Sequence, residues 1–321
     1  MTNIALLGLL TVTALAIARL DKLFAAVMLF GIYSLLSAAL FVVMDAVDVA
    51  FTEAAVGAGI ATILMLGALA LTTQEQKPTP RNHHWIAFSA VVVTGAALIY
   101  GTIDMPLYGD PNAPAHLHVV PRYLHQSMDE IGIPNVVTSV LASYRGYDTL
   151  GETVVIFTAA VGVIGRLGFV SNGSRGAKTG SMEHHLILRI TAKLMLPIIL
   201  IFALYVQFHG DFGPGGGFQA GVIFAAAFIL YGLVFGLENA TKVAPSIVVR
   251  VLAAVGVLLY AGVGVLTMFI GNNFLDYNAL SAEPTHGQHL GIMLVELGVG
   301  ITVAASMISL FYAYASYKQD T

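Results

Sequence analysis

The sequence contains no cysteine in its 321 residues. Disulfides, iron–sulfur clusters and thiolate metal sites built from this chain are therefore excluded. Charged residues are also few, at 10% of the chain, whereas soluble domains carry about 25%. Apolar residues instead make up 57%, with a mean hydropathy of +0.83. This composition predicts an integral membrane protein, and the net charge of −4 with no basic tract does not indicate nucleic-acid binding.

Nine apolar runs are long enough to cross about 30 Å of hydrocarbon, which predicts an all-α, polytopic bundle of transmembrane helices. If the N-terminus is outside, twelve of the 14 Lys and Arg residues lie in or beside cytoplasmic connections, as the positive-inside rule requires. Only Arg122 and Arg145 are then left outside, and the C-terminus is cytoplasmic. The predicted spans are roughly 2–18, 23–44, 49–71, 85–103, 149–165, 187–208, 216–237, 247–270 and 289–312.

Two polar segments separate these runs. The external segment 104–148 is rich in proline in its first half, so a long helix is excluded there. Residues 133–143 within it form a short apolar piece, which we predict to be a surface or re-entrant helix. The stretch 171–185, SNGSRGAKTGSMEHH, has the composition of a flexible linker. We therefore expect a five-helix region at 1–170, a cytoplasmic linker at 171–185 and a four-helix region at 186–321.

Charged side chains inside the predicted spans are candidates for ion transfer, because an ionised group near the bilayer centre costs roughly 2.5 kcal/mol or more. Glu53, Glu152 and Glu296 each lie among small residues, and the alternative is that each reaches water at the interface. Gly57, four residues after Glu53, permits either close helix approach or a local helix irregularity. We predict Glu53 and Glu152 to be the proton or cation relays, with Lys193 and Glu296 as secondary candidates. Asp148, four residues before Glu152, could form a charge relay with Glu152 and Arg145 at the helix entrance.

The stretch HGDFGPGGGFQAG, residues 209–221, interrupts the apolar sequence with a glycine-rich turn. It lacks the Gly-Lys-Ser/Thr ending and the preceding strand of a P-loop, so a phosphate cradle is not favoured. We predict a turn that ends one helix and packs closely on a neighbouring subunit or a broken helix start, formed by Pro214, Gly215, Gly216, Gly217 and Gly221. His209 and Asp211 are its chemically active candidates, as an external proton or cation site.

The histidine pairs of the sequence do not predict a metal centre. Their spacing resembles that of metal ligands, but each pair lies beside prolines or charges and has no matching group of carboxylates. The pairs are His83 with His84, His116 with His118, and His184 with His185.

Several of these segments resemble one family. Residues 45–71, which contain TEAAVGAG, and residues 135–155, which contain RGYDTLGE, resemble the C-terminal region of the large A subunit of Mrp-type multisubunit sodium/proton antiporters. The first segment also resembles a small subunit of membrane-bound hydrogenases. Residues 196–230 and 291–303 are similar to the B subunit of the same antiporters. The resemblance implies a membrane subunit related to the membrane arm of respiratory complex I.

In that family the glutamates of the TEAAVGAG and DTLGE motifs are implicated in ion translocation, and they fall on Glu53 and Glu152 here. The resemblance implies a secondary transporter subunit rather than an enzyme. It would have no cofactor, and would act in the cell membrane with large antiporter-like subunits to exchange sodium ions and protons. One departure is Asp211-Phe-Gly, where the family commonly has asparagine-alanine before the proline.

Two alternatives keep the same fold. In the first alternative, the chain is an ion-translocating membrane subunit of a redox-driven, hydrogenase-like complex. In the second, it is a scaffold subunit that conducts no ions. Because the many-helix part that precedes TEAAVGAG in a full A subunit is missing, we expect no antiport by this chain alone.

Overall fold

The computed structural model describes residues 1–70, 72, 75–76, 81–167 and 185–317. Apart from an isolated bridge between Lys22 and Glu75, every regular element in these ranges is helical. The predicted all-α bundle is therefore confirmed. The predicted linker 171–185, except His185, lies outside the described residues. So do the side chains of five basic residues used for the orientation: Lys77, Arg81, Arg175, Lys178 and Lys318.

Nine apolar helices occur in the described part of the chain, at the positions expected from the sequence. Eight of them have the length and composition to cross a membrane, and the first has 16 residues. The third is built from three consecutive pieces, and its central piece is a π-helix. The nine are α1 (Thr2–Ile17), α2 (Leu23–Val43), α3 with π1 and α4 (Val47–Glu53, Ala54–Ala61 and Thr62–Leu69), α5 (Arg81–Gly101), α10 (Gly146–Leu167), α11 (Leu186–His209), α12 (Gly217–Phe235), α14 (Ser246–Phe269) and α15 (Pro284–Ser316).

The segment between α5 and α10 contains only short helices, as its prolines predict. Two of these helices begin with proline in their first turn, where the missing N–H group costs nothing. The apolar piece at 133–143 forms a short α-helix that continues as a second π-helix. The short elements of the chain are α6 (Pro114–His118), α7 (Val120–His125), α8 (Ser127–Glu130), α9 (Val136–Thr138), π2 (Ser139–Tyr144), α13 (Leu237–Val243) and a 3₁₀ helix (Tyr277–Leu280).

Helix α15 is the centre of the bundle. It has 33 residues, which at 1.5 Å per residue is about 50 Å, so it extends past both limits of the predicted span 289–312. Helices α10, α12 and α14 pack around it, and α11 packs on α12. Helices α1 to α4 form a second layer that joins the bundle through α3, π1 and α4.

Helix α5 stands apart from this bundle. No residue of its apolar window His84–Gly101 is buried, and nearly all of the described side chains in that window are exposed. A transmembrane helix of this kind meets either lipid or another protein on every side.

Candidate functional site

The glycine-rich turn packs against the chain's own central helix. Gly216 has φ of +115°, a conformation that side-chain-bearing residues rarely adopt. Helix α12 begins at the next residue, and a Cβ atom on Gly217 would lie only 2.1 Å from the backbone oxygen of Glu296. Gly221 continues this contact, since its Cβ atom would lie 2.7 Å from the backbone oxygen of Gly300. The close approach predicted for these glycines is thus made within the chain.

The segment between α5 and α10 holds the turn in place from the other side. Asn135 donates two hydrogen bonds from its amide nitrogen, to the backbone oxygens of Gly210 and Gly213, both at 3.0 Å. The hydroxyl of Thr138 donates to the same oxygen of Gly210 at 2.6 Å, and the backbone nitrogen of Asn135 donates to that of Asp211 at 3.0 Å. Four hydrogen bonds therefore fix the backbone of the turn.

Helix α3 contributes a carboxylate to the same place. The backbone nitrogen of Gly215 donates a hydrogen bond to Asp48 Oδ1 at 3.2 Å. One turn further on, Gln219 donates from its amide nitrogen to the hydroxyl of Thr52 at 2.8 Å. These two contacts join the first region of the chain to the start of α12.

Glu296 lies beside this junction. A Cβ atom on Gly216 would lie 3.0 Å from Glu296 Oε1, and one on Gly210 would lie 3.4 Å from it. The carboxylate therefore occupies the space that the two glycines leave open. Glu296 interacts electrostatically with both Asp48 and Asp211, and its carboxylate makes no hydrogen bond or ion pair within the described residues.

Asp211 completes the group, which we call the carboxylate cluster: Asp48, Asp211 and Glu296. Asp211 Oδ2 lies 3.6 Å from His289 Nδ1, while His289 Nε2 lies 3.1 Å from the backbone oxygen of Gly132. Burial raises the pKa of Asp211, and the nearby His289 opposes that rise. Three neighbouring carboxylates favour uptake of a proton, because like charges repel strongly where water is excluded.

Glu53 lies at a separate position in the third span. It ends α3, and π1 begins at the next residue, so the helix irregularity expected around Gly57 is present. A Cβ atom on Gly57 would lie 2.7 Å from Glu53 Oε1 and 2.5 Å from the hydroxyl oxygen of the buried Ser34. Gly57 therefore makes room for the Glu53 carboxylate beside a polar group of α2.

The other predicted charges lie on the surface of the chain. Asp148 pairs with Arg145 at 2.6 Å, and more than half of each side chain is exposed. Glu152 and Lys193 are exposed on α10 and α11, and neither forms an ion pair in the described part of the chain. His209 stacks on the ring of Tyr205, with 4.9 Å between the centroids. The structure therefore brings together Asp211 and Glu296, and leaves these four outside the cluster.

Sequence reasoning missed three polar residues of the site: Asp48, Asn135 and Gln219. Asp48 and Gln219 are polar residues at the ends of apolar runs, which is the same signal that selected the glutamates. Asn135 follows a proline in a loop, and nothing local in the sequence indicates that it contacts residues 75 to 78 positions later.

A cavity of about 420 Å³ lies elsewhere in the bundle, between α11, α12, α14 and α15. Its lining is almost wholly apolar, with Gln207 as a polar exception. The cavity therefore lacks the charges that binding an ion requires. Among the described residues, no group of three or more His, Asp or Glu side chains has the arrangement of a metal site.

Two family models match different parts of the chain. Residues 187–309 match a domain related to the MnhB subunit of a Na⁺/H⁺ antiporter. Residues 8–74 match the MbhD model, which describes one subunit of MBH. The relatives include the antiporter subunit mnhB2 of Staphylococcus aureus strains Newman and USA300. Each is 37% identical over 135 residues, which are 39% of this chain and 95% of the relative.

Two solved structures share the fold. The Mrp complex from Dietzia sp. DQ12-45-1b matches with a TM-score of 0.76 and 22% identity over 99% of this chain, which covers 35% of the matched chain. The membrane-bound sulfane sulfur reductase, an archaeal respiratory membrane complex, matches with a TM-score of 0.55 and 29% identity over 72% of this chain and 97% of the matched chain. With a relative matched over nearly its whole length, the chain belongs to the family of MnhB-type subunits of Mrp Na⁺/H⁺ antiporters.

Proposed function

We propose that this chain provides part of the path for protons or sodium ions in a multisubunit Na⁺/H⁺ antiporter of the cell membrane. The observation that carries the proposal is the carboxylate cluster, where Asp48, Asp211 and Glu296 meet beside the glycine-rich turn. A secondary transporter needs such a site, because a bound proton or cation must be held strongly enough to enter and weakly enough to leave.

The cluster has the chemistry for one ion at a time. A single proton taken up by one of the carboxylates relieves their mutual repulsion, and its departure restores it. Glu296 is the member that we assign to the exchange itself, because its carboxylate is free of hydrogen bonds among the described residues. Asp48 accepts a hydrogen bond from the Gly215 nitrogen, and Asp211 lies beside His289. We assign to these two carboxylates the negative charge that favours a proton on Glu296.

Glu53 and Glu152 are the further carboxylates of the proposed path. Glu53 lies beside Ser34 in the second layer of helices, and Glu152 is exposed on α10. We assign Glu152 to a contact with another subunit, because a carboxylate on the lipid-facing surface of an isolated helix would be costly. Asp148 and Lys193 remain secondary candidates for the ion path, because their exposed charges would also be costly against lipid.

Large antiporter-like subunits are the proposed partners. The exposed faces of α5 and α1 support this, since neither helix is enclosed by the chain itself. The present chain covers only 35% of the matched chain of the Dietzia complex. We therefore propose that this chain bridges larger subunits and does not exchange ions alone.

The proposal is tested in everted membrane vesicles that contain the whole complex. Glu296→Gln should abolish sodium-dependent dissipation of a proton gradient, because the neutral amide cannot bind a proton or balance a cation. Glu53→Gln and Glu152→Gln should also abolish this dissipation, because each glutamate is proposed to carry the ion at a different point of the path.

The matched control is Glu238→Gln. Glu238 pairs with Lys242 and is 85% exposed, and such surface pairs contribute little, so exchange should be unchanged. Full exchange by Glu296→Gln in an assembled complex would contradict the proposal and favour a scaffold that conducts no ions.

A redox-driven complex is the second candidate. The similarity to the membrane-bound sulfane sulfur reductase, at 29% identity, is the observation that favours it. Mass spectrometry of the gently solubilised complex separates the two. Iron–sulfur subunits that co-purify in fixed ratio would favour the redox-driven assembly, and antiporter-like subunits without them would favour the antiporter.

A further inference from the structure

His289 lies at the edge of the carboxylate cluster, near the start of α15, and both of its ring nitrogens face oxygen atoms. Nε2 lies 3.1 Å from the backbone oxygen of Gly132, and Nδ1 lies 3.6 Å from Asp211 Oδ2. A backbone oxygen accepts hydrogen bonds and cannot donate them, so Nε2 carries a proton whether the ring is neutral or charged. The ring therefore gains and loses its second proton at Nδ1, the nitrogen that faces the carboxylate.

The surroundings of the ring suit its protonated form. With a proton on each nitrogen, the ring donates to the Gly132 oxygen and forms an ion pair with the charged carboxylate of Asp211. Without a proton on Nδ1, a lone pair faces that carboxylate instead. The side chain of His289 is 40% exposed, so water can deliver and remove this proton. Histidine is also the side chain whose ordinary titration lies nearest to neutral pH.

The other titratable groups around this part of α15 are engaged elsewhere or exposed. Glu152 of α10 is exposed and forms no ion pair in the described part of the chain. The engaged groups are Arg122 with Glu130 at 3.1 Å, Arg145 with Asp148 at 2.6 Å, His286 with Glu283 at 3.2 Å, His209 stacked on Tyr205, and Tyr277 donating to the Ala142 oxygen at 2.9 Å. Within the described ranges, Asp211 is therefore the charged group at ion-pair distance from His289.

The glycine-rich turn joins His289 to Glu296. The two residues are seven positions apart on α15, which places them on the same face of the helix and about 10 Å apart along its axis. Asp211 of the turn meets His289, and the residue directly before it, Gly210, has its Cβ position 3.4 Å from Glu296 Oε1. One short turn therefore contacts both side chains.

We propose that His289 gains and loses a proton at Nδ1 and thereby controls how tightly Glu296 holds its own proton. The protonated ring offsets the charge of Asp211, so the cluster is less negative and Glu296 releases its proton more readily. The neutral ring leaves Asp211 uncompensated, and Glu296 takes up a proton again. His289 is thus a positioning residue for charge, and it does not carry the transported ion. This inference rests on the proposed function, in which Glu296 exchanges the proton.

The first test is His289→Gln in the whole complex, assayed in everted vesicles across a range of pH. The amide carries no positive charge at any pH, so Glu296 should release its proton only at higher pH. We expect the acidic limb of the rate profile to move up by about one pH unit. This is the size expected for two unit charges about 10 Å apart at an effective dielectric constant of about 20.

The second test is His289→Lys, which keeps the positive charge at every pH of the assay. The alkaline limb should move down by about one pH unit, because Glu296 then regains its proton less readily, while the acidic limb should stay in place. Glutamine and lysine can both donate to the Gly132 oxygen, so either variant can retain that contact. If one variant fails to assemble, the limb moved by the other decides the question.

His286→Gln is the matched control. His286 lies one turn earlier on α15 and also pairs with a carboxylate, Glu283, at 3.2 Å, but its side chain is 73% exposed. Both limbs of its rate profile should match those of the wild type. Complex yield is measured for all three variants.

The outcomes separate this inference from the proposed function. Opposite shifts of the two limbs in the glutamine and lysine variants support the role of His289. A lower rate at every pH with both limbs in place overturns that role and indicates a structural contact. If Glu296→Gln is inactive at the same time, the proposed function still stands. Normal exchange by Glu296→Gln overturns both.

Discussion

Gly217→Ala is expected to separate the two central helices of the bundle. The added Cβ atom would lie 2.1 Å from the backbone oxygen of Glu296, and real Cβ atoms essentially never approach closer than 3.0 Å. The obstacle is backbone, so no side-chain rotation relieves it, and α12 must move away from α15. Inserting even one carbon into a packed core typically costs about 1–3 kcal/mol, occasionally more, and we expect the upper end of that range here.

The assay compares the unfolding midpoint of the purified complex in detergent for two glycine variants. Gly162→Ala in α10 is the control, because nothing in the chain lies within 4 Å of its Cβ position. In a helix interior that change stabilises by up to about 1 kcal/mol. Equal midpoints for Gly217→Ala and Gly162→Ala would refute the direct packing of α12 on α15.

Three further changes test the site and an exposed ion pair outside it. Gly216→Ala should reduce exchange, because its Cβ atom would lie 3.0 Å from Glu296 Oε1; Gly109→Ala, which has a similarly positive φ but open space, should leave exchange unchanged in the same vesicle assay. Asp211→Asn should raise the thermal midpoint at pH 7 but not near pH 4. Burial raises the pKa of Asp211, so the folded state disfavours the charged carboxylate. This destabilisation of the wild type develops as the pH rises through and above the ordinary carboxylate range. A difference in midpoint between wild type and variant that stays constant from pH 4 to pH 7 would be inconsistent with that cause. Asp148→Asn should shift unfolding by less than about 1 kcal/mol in a denaturant titration, because the pair with Arg145 is exposed, and a larger loss would show that the pair is enclosed in the complex.

The sequence predicted the helices well, because a membrane imposes one strong constraint. A run of about 20 apolar residues has few alternatives to a spanning helix, and each expected run is helical in the described part of the chain. The start of α15 was harder to place. The apolar run predicted a span that begins at about residue 289, whereas the helix begins at Pro284, before that run.

The site was predictable only in part, because its members are far apart in the sequence. Glu296 and Asp211 stood out as charges in apolar or glycine-rich surroundings. That they meet depends on how α12 packs on α15, and that Asp48 joins them depends on a contact 167 residues away along the chain. Local patterns indicate which residues are costly in a membrane, but they do not indicate which of them are neighbours.

The cluster draws on both of the regions that match a family model. Asp48 lies in the part that matches the MbhD model, at 8–74, while Asp211 and Glu296 lie in the part that matches the MnhB model, at 187–309. Neither region alone contains all three carboxylates. The hydrogen bond from the Gly215 nitrogen to Asp48 crosses between them, so the cluster forms only when both regions are folded against each other. Joining them covalently fixes their ratio at one to one and removes an association step that separate subunits would have to make.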